Sequence, residues 1–131
     1  MVTLKQELFN REQEKGPYRI GLVGAGQMGT GLISQIEKMF GLKIVAVSDI
    51  MPTRSKDAYV EAGIEVKKVH WVEDDLDKAN GLINSGQRVA THSSQFLVNI
   101  HSLDAIVECT GIPNVGAIIC NQAIEASKPI I

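Results

Sequence analysis

The 131 residues predict an α/β fold: a doubly wound parallel sheet with helices on both faces. Three observations carry that prediction. Short apolar runs with β-branched residues recur at 18–23, 43–49, 88–91 and 103–111. Stretches of helical periodicity stand between them. Glycine or proline punctuates most of the junctions. Alternation of this kind brings the strands together in parallel, through right-handed crossovers.

The elements follow in order. Residues 1–17 read as a helical arm: in TLKQELFNREQEKG, Thr3 is the cap, Gln6 returns the bond as in a capping box, and Leu4 and Leu8 share a face. Gly16-Pro17 ends it. YRIGLV, Tyr18 to Val23, is a buried first strand. From Gln27 to Phe40 the periodicity is helical, with Met28, Leu32, Ile36 and Met39 as the apolar positions and Gly41 as the stop. KIVAVSD, Lys43 to Asp49, is the second strand. Pro52 suits the first turn of a helix running to Ala62, before Gly63. The stretch 64–87 is the least regular, and VEDDLDKANGLINSG within it reads as an acid-started helix ending near Gly86.

Arg88 to Thr91 is the third strand, SSQFLVNI a short helix, and LDAIVECTG the fourth strand. Pro113 opens a helix with Val115, Ile118, Ile119 and Ala123 on one face. Pro129-Ile130-Ile131 reads as the start of a fifth strand. The expected order of these five is 3-2-1-4-5. Residues 18–131 are thus expected to form one sheet domain truncated near strand 5, the N-terminal piece of a longer protein.

The 13 basic and 15 acidic residues leave a net charge of −2, which offers no electrostatic footprint for nucleic acid or an anionic membrane. Cys109 and Cys120 form no metal or redox motif, and the three histidines do not fall at ligand spacing, so no metal is expected. The charged N-terminus lacks an apolar signal core, and the uncharged stretches 20–36 and 109–124 fall short of a bilayer span. A soluble, cytoplasmic protein is expected.

The chemistry lies in the glycines. Gly24-Ala25-Gly26-Gln27-Met28-Gly29 fits G-x-G-x-x-G between a strand and a helix. In a Rossmann dinucleotide fold each glycine has its own role. Gly24 makes the tight turn, Gly26 admits a pyrophosphate to the backbone, and Gly29 lets the helix lie on the strand. The helix N-terminus favours the anion. Asp49 ends the second strand, where the ribose-binding acid belongs, and so favours NAD. Arg54, five residues on, could pair with a 2′-phosphate and leaves NADP open. The competing reading is a structural turn with Asp49 capping the next helix. A Walker loop is excluded, because Leu32 follows Gly31 where Lys-Ser/Thr is needed.

In the 3-2-1-4-5 order, VECTG would end beside the first strand, so Cys109, Thr110 and Gly111 would border the nicotinamide end. Cys109 is read as a small packing residue, since nothing nearby supplies a base for it. Glu108 is a candidate polar contact. His70, His92 and His101 are read as loop or surface residues, and the acids of EDDLD as a solvated helix start.

RIGLVGAGQMGTGL, VSD, LDAIVECTGIPNVGA and KPII together resemble the N-terminal domain of homoserine-dehydrogenase-like oxidoreductases, in the branch that carries a later SAF domain and includes deoxyxylulose-phosphate reductoisomerase-like enzymes. The resemblance covers nearly the whole chain. It implies an NAD(P)-binding domain followed by a catalytic and dimerising domain, hence a homo-oligomer formed through the part not present here. It also implies pyrophosphate contacts from Gly24, Gly26, Gln27, Met28 and Gly29, a ribose contact from Asp49, and a nicotinamide side lined by Thr110 and Gly111. Asp49-Ile50 departs from NADP-using relatives, which carry basic or small residues there. The family's catalytic residues would lie beyond Ile131. A non-catalytic nucleotide-sensing module on the same fold is the alternative reading.

Overall fold

The computed structural model describes residues 3–51 and 53–131. Its elements are α1 (Leu4–Lys15), β1 (Tyr18–Val23), α2 (Gln27–Glu37), β2 (Leu42–Ser48), α3 (Arg54–Glu61), β3 (Val69–Trp71), α4 (Leu76–Asn84), β4 (Arg88–Thr91), α5 (Ser94–Val98), β5 (Ala105–Glu108) and α6 (Pro113–Glu125). A 3₁₀ turn, Val66–Lys68, leads into β3.

The strands form one sheet in the order β3-β4-β2-β1-β5, with every pair parallel. The expected order holds for the four strands common to both, with β4 in third place and β5 in fourth. The short edge strand β3 is an addition. Beyond β5 the chain returns as a bridge pairing Ile106 with Ile130 in parallel.

Both faces of the sheet are covered, which is why the strands are apolar throughout. Leu22, Ile33, Ile36, Ile44, Val47 and Tyr59 pack on the α2–α3 side. Val45, Ile83, Val89, Leu97, Ile106 and Ile119 pack on the side of α4, α5 and α6. An ion pair is set into this frame: Arg88 Nη1 lies 2.7 Å from Glu37 Oε1 and donates to the Ile44 carbonyl at 2.8 Å.

Two helices bury only part of the expected stripe: Ile36, Ile119 and Ala123 are buried as expected, and the other expected positions are not. In α2 the buried residues are Gly29, Ile33 and Ile36, while Met28 is exposed, as is Met39 beyond the helix end. In α6 they are Gly116, Ile119 and Ala123, while Val115 and Ile118 face outward. In both, a glycine marks the line of closest approach, and it draws the flanking long side chains off that line. The helix starting at Arg54 has Thr53 as its N-cap residue, at φ 68°; Pro52 lies outside the described residues.

Thr3 Oγ1 accepts the Gln6 N–H, as the capping pattern requires. α1 buries no residue fully but leans on the amino end of the sheet. Phe9 meets Phe40 edge to face at 5.1 Å, Arg11 lies over the Tyr18 ring, and Gly41 runs against Leu8 so closely that a Cβ would stand 2.5 Å from its carbonyl oxygen.

Candidate functional site

At the carboxyl end of the sheet, the loops after β1, β2, β4 and β5 meet around a cleft of about 220 Å³. Parallel pairing delivers them there: each strand points the same way, so each following loop emerges at one edge.

The glycine loop is the floor. Gly24 adopts φ 101°, and a Cβ there would press 2.7–2.8 Å from the backbone of Cys109 and Thr110. Its N–H donates to the Ser48 carbonyl at 2.9 Å, tying the loop to β2. A Cβ on Gly29 would collide with the Gly24 carbonyl oxygen. Gly26 differs in kind: among the described residues nothing lies within 4 Å of a Cβ placed there. It is the N-cap of α2 and provides no side-chain hydrogen bond, so no capping side chain occupies the first N–H groups of that helix.

Asp49 joins the two halves of the cleft. Its Oδ2 accepts the Ala25 N–H and its Oδ1 the Met51 N–H, each at 2.8 Å. The carboxylate thus braces the glycine loop from β2 and folds its own loop in an Asx turn. It does not cap α3.

The candidate site residues divide as follows. Gly24, Gly26, Asp49, Arg54 and Thr110 line the main cleft. Gln27 lines a second, more open cleft of about 440 Å³ between α2 and α3, which Gly26 and Arg54 share. Arg54 therefore stands on the wall between the two. Met28 projects from the first turn of α2, and Gly29 is buried beneath the loop. Gly111 is exposed at φ 70° in the turn before α6 and does not line the main cleft.

Several lining residues were not among the expected ones. Ile50 and Met51 after β2, and Ile112 and Val115 around the start of α6, form an apolar rim. The Ser48 hydroxyl is buried at the floor with no hydrogen-bond partner among the described residues. His92 closes the far side; its Nδ1 lies 3.1 Å from Glu73 Oε1 and its ring meets Trp71 edge to face at 4.7 Å. It is a loop residue, as expected, but one turned to the cleft.

At the opposite end, Glu108 Oε1 accepts the Thr110 N–H at 2.6 Å and the Thr110 hydroxyl as well. Cys109 between them is half-buried, and burial, reinforced by Glu108, pushes its thiol up. A raised thiol is a poor nucleophile, in keeping with a packing role.

A dinucleotide fits these features. Gly26 leaves the space a pyrophosphate needs, the α2 N-terminus supplies N–H donors, and the buried Ser48 hydroxyl lacks a partner.

No protein-family model and no curated protein matches the chain by sequence. Solved structures match it in fold. A probable dehydrogenase from Thermotoga maritima aligns over 86% of the chain at 19% identity, with a TM-score of 0.62. The scyllo-inositol dehydrogenase from Lactobacillus casei, with bound cofactor NAD(H) and scyllo-inositol, aligns over 87% at 17% identity, with a TM-score of 0.59. A 3-ketoreductase from Actinomadura kijaniata, in complex with TDP-benzene and NADP, aligns over 87% at 16% identity, with a TM-score of 0.58. The chain spans 26%, 27% and 29% of these proteins. The likeness is one of fold, the five-stranded parallel sheet of a Rossmann fold. Among the described residues no helix is long and apolar enough to cross a membrane.

Proposed function

We propose that residues 18–131 form the NAD(P)-binding domain of an oxidoreductase, with residues 1–17 as a packed helical arm. The observation that carries the reading is the cradle at Gly26: an open approach to the start of α2, braced from β2 by Asp49. The bound nicotinamide would supply hydride transfer to or from a carbonyl or hydroxyl of a small metabolite. The chain's own part is to hold and orient. Gly24, Gly26, Gln27, Met28 and Gly29 take the pyrophosphate at the loop and the first turn of α2. Asp49 takes the adenosine ribose, which favours NAD, while Arg54 is the residue that would meet a 2′-phosphate. Thr110 and Gly111 bound the nicotinamide side.

Within the oxidoreductases, the ECTGIP turn and the leading helix support the homoserine-dehydrogenase-like branch with a SAF domain. Substrate-handling and dimerising residues are assigned to a further domain, consistent with the small share of the solved dehydrogenases that the chain spans. One observation favours a nucleotide-sensing module instead: burial pushes up the Cys109 thiol in the main cleft, which makes it a poor nucleophile.

The test is titration of the 131-residue chain with NADH, NADPH, FAD and S-adenosylmethionine in turn, followed by fluorescence and calorimetry. Binding of a nicotinamide dinucleotide is expected. Failure of both NADH and NADPH to bind overturns the reading.

A further inference from the structure

Thr110 stands at the cleft with its hydroxyl already committed. A hydroxyl has one proton and two lone pairs, and a carboxylate only accepts. Since Thr110 Oγ1 contacts Glu108 Oε1, the hydroxyl proton is given to Glu108. One lone pair of the same oxygen receives the Ile112 N–H at 3.3 Å. What remains for a ligand is a lone pair. The second Glu108 oxygen lies beside α6: a Cβ on Gly116 would stand 3.0 Å from Oε2.

We infer that Glu108 is a positioning residue that sets Thr110 as an obligate hydrogen-bond acceptor, selecting a ligand that presents an N–H donor at the β5 end of the cleft. Resting on the dinucleotide reading, this identifies the donor as the carboxamide NH₂ of the nicotinamide. Glu108 touches no ligand itself; it acts through the hydroxyl it holds. A threonine free to rotate would donate or accept at will and would not discriminate.

The experiment uses three ligands on the full chain: NADH, its reduced 3-acetylpyridine analogue, which replaces the NH₂ by a methyl group, and ADP-ribose, which lacks the ring. The parent chain is expected to prefer NADH to the analogue by about three- to tenfold, the range of one net hydrogen bond. Glu108→Ala and Thr110→Val should each abolish that preference, and Glu108→Ala should leave ADP-ribose affinity unchanged. Glu108→Gln, which keeps an acceptor oxygen, should retain the preference. Gly116→Ala presses on the Glu108 carboxylate and should narrow the preference as well; it serves as the variant should Glu108→Ala not fold.

Equal affinity of the parent for NADH and the analogue overturns the inference. So does a preference that survives both Glu108→Ala and Gly116→Ala, or a parallel loss of ADP-ribose binding in them. Failure of the parent to bind ADP-ribose and NADH alike overturns the dinucleotide reading, and this inference with it.

Discussion

The carboxylate of Asp49 holds the backbone N–H of Ala25 at 2.8 Å, across 24 residues of chain. The acid that ends β2 is therefore part of the glycine loop as well as a candidate ribose ligand. Asp49→Ala should lower NADH affinity by about tenfold or more and NADPH affinity by less. It should also cost about 1–3 kcal/mol of stability, because the Ala25 and Met51 N–H groups lose their acceptor. Fluorescence titration with both cofactors and a urea melt check the two halves. Equal losses for both cofactors would remove Asp49 from the ribose and leave it the brace alone.

The three motif glycines should separate folding from binding. Gly26→Ala meets open space at a φ of −76°, which alanine adopts freely, so it should fold as the parent does and lose dinucleotide affinity. Gly29→Ala drives a methyl group into the Gly24 carbonyl and should destabilise the chain by about 2 kcal/mol or more. Thermal melts with and without NADH distinguish them. A Gly26→Ala chain that binds NADH like the parent would show that no phosphate approaches there.

Glu37→Ala leaves the buried Arg88 guanidinium with the Ile44 carbonyl as a remaining acceptor. Removing one partner of a buried pair costs about 3–5 kcal/mol. Glu37 is partly exposed and one acceptor stays, so on the order of 2 kcal/mol is expected here, read from denaturant unfolding. The cleft lies at the other end of β2 from Ile44, and NADH affinity of the folded fraction should not change.

Tyr59 is fully buried and donates its phenol to the Val89 carbonyl at 3.0 Å. Burial holds its pKa far above the ordinary value of about 10, with Arg88 opposing and Glu37 adding. The folded chain therefore keeps a proton that the unfolded chain gives up in alkali. The contribution is fully present below about pH 10 and is lost as pH rises above it. The melting temperature of the parent should fall through that range. Tyr59→Phe should start lower, having lost the hydrogen bond, and fall less steeply. Parallel slopes would show that other groups govern alkaline unfolding.

Much of this molecule is written locally. The Gly24–Gly29 loop and Asp49 were legible because spacing along the chain carries them, and the strand order was the one expected of a doubly wound sheet. What escaped depends on partners distant in sequence. β3 is three residues long, and its wall of Trp71, Glu73 and His92 exists only once it pairs with β4. The helix stripes were read only in part, because apolar spacing places long side chains without regard to close approach: Gly116 goes inward, and Met28 and Ile118 turn out. Glu108 was legible as a polar residue near the site, but its hold on Thr110 is a matter of side-chain geometry that no spacing rule encodes.

The position of β1 at the inside of the sheet bears on how the site comes into being. Its neighbours are β2, close in sequence, and β5, whose Asp104 forerunner caps the Arg19 N–H across 85 residues. Gly24 rests on the backbone of Cys109 and Thr110. During synthesis the residues before β5 can assemble the loop, its helix and its brace, yet the wall against which Gly24 is seated has not left the ribosome. Pairing β1 with β5 closes the longest loop of the sheet, the kind of long-range contact that slows folding. On the dinucleotide reading, the seat for a nucleotide is complete only after β5 has docked.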